Sequence, residues 1–158
     1  LFTGTIADNI RFGKEDATDE EIRHASRVAQ ATDFIERMPD QYDSMIEQGG
    51  SNVSGGQKQR LSIARALVRK PDIYVFDDSF SALDFKTDAT LRKALKQETE
   101  DATVLIVAQR VSTVMDADQI IVLEEGRVAG IGTHDELYET NDVYQEIVKS
   151  QLSEEEIA

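Results

Sequence analysis

Three apolar runs of strand length, "IYVF" at 73–76, "TVLIVA" at 103–108 and "QIIVL" at 119–123, alternate with stretches whose apolar residues recur at helical spacing. Such alternation predicts a parallel α/β sheet with flanking helices, because parallel neighbours need a crossover that a helix supplies. None of these runs approaches the ~20 apolar residues that a membrane-spanning helix requires. A chain of 158 residues is long enough to bury a core, as one domain or a large part of one.

Local signals divide the chain further. Thr18 with Glu21 forms a capping box, and Ile22, Ala25, Val28 and Ala29 make one apolar stripe, so a helix is expected from Thr18 to Met38, ended by Pro39. A second helix is expected from about Gly55 to Lys70, and a third within "TDATLRKALKQE". "EEGRVAG" reads as a turn between Ile120–Leu123 and a further short strand. Two terminal helices follow, the first capped by Thr133 with Glu136, before a solvated acidic tail ending in "SEEEIA".

The formal net charge of −14 argues against a nucleic-acid partner, which would need clustered Lys and Arg. With no cysteine, disulfides and thiolate metal sites are excluded, and a reducing compartment fits. The opening "LFTGTIADNI", without an initiator Met or basic signal-peptide head, reads as part of a longer polypeptide.

"NVSGGQKQR" at 52–60 raises a sharper question. Ser54 and Gln57 form a capping box, with Leu61, Ala64 and Val68 as the apolar positions of the helix that follows. Gly55 and Gly56 then occupy its first two positions, each at a cost of ~1 kcal/mol relative to Ala. A helix N-terminus presents unpaired N–H groups and partial positive charge, and glycines let an anion, most naturally phosphate, come close. A plain capped helix is the competing reading. In "IYVFDDSFSALD" the strand ends on Asp77 and Asp78, where ligands of open α/β sheets bind. One carboxylate there suits the Mg²⁺ of a nucleotide and the other suits an attacking water, although an acidic loop after a core strand looks the same.

Taken together these segments resemble the nucleotide-binding domain of ATP-binding cassette (ABC) transporters. "NVSGGQ" resembles the signature motif, "IYVFDD" the Walker B strand, "SALD" the D-loop, "TVLIVAQR" the switch-histidine strand and "GTHDEL" the tail of exporter-type cassettes. The order and spacing match over nearly the whole chain, which begins just past the family's Q-loop. The resemblance implies a P-loop NTPase fold, a RecA-like parallel sheet with flanking helices plus the ABC helical subdomain, with the N-terminal Walker A part missing. Residues 1–56 would belong to the helical subdomain, 57–150 to the C-terminal half of the RecA-like core with its terminal helices, and 151–158 to the acidic tail.

The same resemblance assigns roles. Ser54, Gly55, Gly56 and Gln57 would clamp the γ-phosphate of ATP held by a second cassette, Asp77 would hold Mg²⁺, and Ser81 and Asp84 would be D-loop residues communicating between sites. Val53 replaces the usual leucine, a small apolar change. Two departures bear on the chemistry. Asp78 stands where the family usually carries glutamate, shorter by one methylene and so by roughly 1.3 to 1.5 Å. A general base must lie within ~2.6–3.2 Å of its proton, and losing that contact costs on the order of 10²–10⁴ in rate. Gln109 stands at the switch histidine; its amide donates a hydrogen bond but carries no charge and shuttles no proton.

Both departures resemble the degenerate-site subunit of heterodimeric bacterial multidrug-type exporters, as do "IEQGGSNVSGGQKQR" and "DDSFSALDFKTD". The resemblance implies an ATP-hydrolysing exporter subunit with ATP and Mg²⁺ as cofactors and a slow site of its own. It also implies a second cassette carrying the missing glutamate and histidine, a transmembrane domain in the same full-length chain, and a place at the cytoplasmic face of the membrane. A non-hydrolytic regulatory cassette and a DNA-maintenance ATPase are the alternatives; the acidic charge and absent heptads weigh against the second. Lys58, Arg60, Arg65, Arg69 and Lys70 are expected on a solvated face, His24 likewise, and His134 at a helix start.

Overall fold

The computed structural model describes residues 1–151, so all but the first residue of the expected acidic tail lies outside the described residues. The chain forms two compact units, Leu1–Leu105 and the residues from Ile106 onward.

In the first unit, strand β1 (Gly4–Thr5) pairs antiparallel with β2 (Met45–Ile46). Helix α1 (Ile6–Arg11) starts from a capping box between Thr5 and Asp8. Helix α2 (Asp19–Val28) has the expected box: Thr18 N donates to Glu21 Oε2 at 2.8 Å and Glu21 N to the Thr18 hydroxyl at 3.2 Å. It stops well before Met38. Gln30 takes a left-handed φ of 57°, the Ala31 amide reaches the Ser26 carbonyl at 2.8 Å and the Gln30 amide that of Arg27 at 3.0 Å, a Schellman closure. Helix α3 (Thr32–Ile35) resumes after it. The apolar stripe continued across this break, so periodicity alone did not reveal it.

Helix α4 (Gly55–Val68) is the centre of this unit and packs on α1 and α2. Its predicted apolar positions Leu61, Ala64 and Val68 are buried, as are Ile6 and Ile10 of α1 and Ile22 of α2. Burying each large aliphatic side chain contributes about 1.5–3 kcal/mol. Two of the five basic residues are not on a solvated face. Arg60 donates to the Gln30 carbonyl at 2.7 Å and lies over the Phe34 ring. Arg65 donates to the Asn9 carbonyl at 2.8 Å and side-chain oxygen at 3.0 Å, between the rings of Phe2 and Phe12. Burial lowers the pKa of both guanidinium groups from the ordinary arginine value. They act as cross-links because guanidinium offers several donors and a flat face for aromatic rings.

Strand β3 (Ile73–Asp77) pairs with β4 (Thr103–Val107). In β3 Tyr74 and Phe76 are buried, whereas Ile73 and Val75 are 63% and 61% exposed. One face alone is covered, as strand alternation dictates. Helix α5 (Phe85–Glu98) buries Leu91 and Leu95, and its Glu98 carboxylate accepts from His24 Nε2 at 2.8 Å. His24 therefore has an acidic partner, one that sequence spacing could not place because 74 residues separate the two.

In the second unit, α6 (Val111–Val114) precedes the hairpin of β5 (Ile120–Glu124) and β6 (Arg127–Gly132). The predicted turn is present: Glu125 and Gly126 have φ of 48° and 74°, as a two-residue hairpin turn requires. Helices α7 (His134–Thr140), with its Thr133–Glu136 box, and α8 (Asp142–Gln151) follow. Leu137, Tyr144 and Val148 pack with Ile120, Val122 and Val111. The α/β class is as expected, but the described strands form three two-stranded sheets, two of them antiparallel, instead of one continuous parallel sheet. A two-residue connection between β5 and β6 admits only antiparallel pairing. No helix among the described residues is long and apolar enough to cross a membrane.

Candidate functional site

Ser54 caps α4 reciprocally: the Gln57 amide donates to its hydroxyl at 3.2 Å, and its own amide donates to Gln57 Oε1 at 2.9 Å. Accepting that bond leaves the Ser54 O–H able to donate elsewhere. Ser54 and Gly55 are exposed, and Gly56 and Gln57 partly so, which leaves an open, unbranched helix tip with partial positive charge.

The two glycines are bare for different reasons. A Cβ on Gly56 would sit 2.9 Å from the Ala82 carbonyl oxygen, a contact only backbone movement could relieve. A Cβ on Gly55 would meet Ala82 Cβ at an ordinary 3.5 Å. Gly56 therefore serves the chain's own packing, and only Gly55 is left without a packing reason.

Asp77 and Asp78 follow at the exposed end of β3, and Asp78 turns the chain with φ 47°, a left-handed conformation Asp tolerates better than branched residues. The Ser81 hydroxyl lies 3.1 Å from Asp78 Oδ2 and 3.3 Å from its carbonyl. Ser79 Oγ donates to the Asp77 carbonyl at 3.4 Å. Beside them a cleft of about 300 Å³ opens between α4 and β3, lined among others by Lys58, Gln59 and both aspartates. Asp84 caps α5, accepting from the Thr87 amide at 3.0 Å and hydroxyl at 2.7 Å. The Thr87 amide, reinforced by its hydroxyl, holds the Asp84 carboxyl below its ordinary pKa.

Sequence reasoning missed Gln59. Its Nε2 donates to the Asp78 carbonyl at 3.0 Å and the Ser81 hydroxyl at 3.1 Å, while the Ala82 amide donates to its Oε1 at 2.9 Å. One side chain thus fastens the loop of Asp78, Ser81 and Ala82 to the tip of α4. A signal existed: Gln59 stands four residues before the buried Ile63, a polar residue on an inward-facing stripe.

Gln109 lies in the second unit, exposed, after β4. Gln151 at the end of α8 donates from Nε2 to the Gln109 carbonyl at 2.7 Å and accepts from the Val111 amide at 2.8 Å. Nothing in the sequence announces this contact across 42 residues. His134 begins α7 as expected, with Nδ1 2.8 Å from the Tyr144 hydroxyl, whose pKa burial raises.

Asp77 and Asp78 supply hard carboxylate oxygens, the donors Mg²⁺ takes. Among the described residues no three acids, histidines or cysteines converge as a metal cage.

The profile of the family described as ABC transporter matches residues 3–81. The chain is 48% identical over 155 residues to the uncharacterized ABC transporter ATP-binding protein YfiB of Bacillus subtilis, covering 98% of this chain and 27% of that protein. It is 45% identical over 151 residues to the mitochondrial potassium channel ATP-binding subunit of Rattus norvegicus, covering 96% of this chain and 21% of that protein. The fold matches that of a bacterial Atm1-family ABC exporter with ATP bound, at a TM-score of 0.94 and 38% identity, over 98% of this chain and 27% of the exporter's. The chain thus spans about a quarter of the length of such relatives.

Proposed function

Because this chain belongs to the ABC transporter family, we propose that it is part of an ATP-binding and ATP-hydrolysing exporter subunit whose own site is degenerate and whose signature segment completes a partner's site. The observation that carries the reading is the exposed tip at Ser54–Gln57, where Gly55 is bare without a packing reason. There the Ser54 hydroxyl and the first free amides of α4 bind the γ-phosphate of ATP held by a second cassette. Residues 1–56 act as the helical subdomain that carries this tip, and 57–150 as the second half of the ATP-binding core.

At the chain's own nucleotide, Asp77 would hold Mg²⁺, which would supply positive charge to neutralise the phosphates. Asp78 orients the attacking water, and Gln109 donates to the γ-phosphate. Two features make that chemistry slow. The Asp78 carboxylate is short and already engaged by Ser81 at 3.1 Å, and Gln109 neither carries charge nor shuttles a proton. The partner, in a heterodimer, carries glutamate and histidine at the two positions. Transmembrane helices in the rest of the full-length chain place the cassette at the cytoplasmic face, and substrates of the multidrug type are exported.

Ser54→Arg in the full-length protein, assembled with its second cassette, tests this reading. Expected is loss of most steady-state ATP turnover, which belongs to the partner's site, with nucleotide retained at this chain's own site. Undiminished turnover would remove the clamp role.

A further inference from the structure

The bonds of Gln59 reach beyond local packing. Its amide contacts the carbonyl of Asp78, the hydroxyl of Ser81 and the amide of Ala82, three points of one loop, at 3.0, 3.1 and 2.9 Å. It sits on the second turn of α4, five residues after the Ser54 cap. Independently of that amide, Gly56 on the same helix lets the Ala82 carbonyl approach so closely that a Cβ there would stand 2.9 Å from it. Ser81 closes the circuit, since its hydroxyl receives from Gln59 and lies 3.1 Å from the Asp78 carboxylate. Helix tip and loop are therefore joined by side-chain hydrogen bonds on one side and backbone contact on the other.

We infer that Gln59 is a positioning residue that ties the placement of Asp78 to the tip of α4. This rests on the roles proposed above for Ser54–Gln57 and Asp78. A nucleotide engaged by the tip then restrains the loop of the chain's other nucleotide through one side chain. α4 is suited to transmit such a restraint, because its far side is anchored by Leu61, Ala64 and Leu67 in the core and by Arg65 on Asn9. A rigid helix transfers a displacement at its tip, whereas a loosely packed one would absorb it. The bonds of Gln59 run to the chain's own loop, so its effect is expected on rate, with affinity unchanged.

The test uses the full-length protein with its second cassette and two substitutions: Gln59→Leu, which removes all three bonds, and Gln59→Glu, which keeps an acceptor for the Ala82 amide but loses the donor to Asp78. Amide exchange is measured first. Exchange at Ala82 is expected to rise about tenfold in Gln59→Leu, the equivalent of one hydrogen bond, and much less in Gln59→Glu, with α4 beyond Leu61 unchanged in both. Turnover is measured second, in a cycle with Asp78→Glu. The gain from Asp78→Glu should shrink about tenfold in the Gln59→Leu background, with KM for ATP within about twofold.

An equal gain in both backgrounds, or unchanged exchange at Ala82, overturns the inference. Should Asp78→Glu give no gain even beside native Gln59, the hydrolytic reading of Asp78 fails instead, and the exchange at Ala82 alone decides whether Gln59 holds the loop.

Discussion

The loop after β3 and the segment after β4 are held by the same device and differ in how firmly. In each, a glutamine amide from a helix donates to one backbone carbonyl and accepts from one backbone amide: Gln59 on Asp78 and Ala82, Gln151 on Gln109 and Val111. Gln59 sits partly buried near the start of a 14-residue helix with a buried apolar face, and its loop is also pressed on Gly56. Gln151 is exposed and is the last described residue of α8. The difference predicts that the Asp78 loop, with its second contact at Gly56, opens together with its helix, and that the Gln109 segment, held from an exposed helix end, exchanges faster.

Six substitutions sharpen or break this contrast. The largest effect is expected from Arg65→Ala, which strips two bonds from the buried Asn9 and the packing of two rings; it should cost the anchoring of α4 about 3 kcal/mol, read as lost amide protection in α1 and α4. Exposed Arg69→Ala should change protection little, within about 0.5 kcal/mol. Next comes Gly56→Ala, which forces the Ala82 carbonyl away and should cost about 2 kcal/mol, whereas Gly55→Ala should leave thermal stability equal or raised by up to about 1 kcal/mol while turnover falls. Should both alanines behave alike, the two glycines do not have separate roles.

A smaller loss, about 1 kcal/mol, is expected from Gln151→Leu, read as faster exchange at the Val111 amide with β5 and β6 unchanged. If that loss exceeds the one at Ala82 in Gln59→Leu, the ranking of the two clasps is wrong. The smallest effect concerns acid. The Asp84 carboxyl is held below its ordinary pKa by the Thr87 amide, so the cap contributes fully above the ordinary aspartate range and is lost as pH falls through the lowered value. Protection of the first turn of α5, corrected for intrinsic exchange, should fall in that acid window in the native chain and stay level in Asp84→Asn.

What the sequence revealed follows from how local each cause is. Capping boxes at Thr18, Ser54 and Thr133, the hairpin turn at Glu125–Gly126 and the core face of α4 depend on residues within a few positions, and all were legible. The Schellman closure at Gln30 was not, because glutamine there gives no sign of a left-handed φ. Nor were Arg60 and Arg65 as cross-links, whose partners lie 30 and 56 residues away. In the candidate site, motif spacing picked out Ser54, Asp77, Asp78 and Asp84, while the glutamines that fix two of its segments became visible only through their long-range bonds. Gly56 shows the limit from the other side: at a bare position read as room for a ligand, the Ala82 carbonyl also comes close.

The central claim, that this chain's own site is a weakened hydrolytic site, is tested most directly by steady-state ATP turnover of the full-length protein with its second cassette. Native chain, Asp78→Glu, Gln109→His and the double substitution are compared. The double substitution is expected to raise by about tenfold or more the turnover that remains in a Ser54→Arg background, where the partner's site is silent, restoring part of the acid–base contribution. Turnover unchanged by all three substitutions would contradict it and leave a nucleotide-binding regulatory cassette as the function.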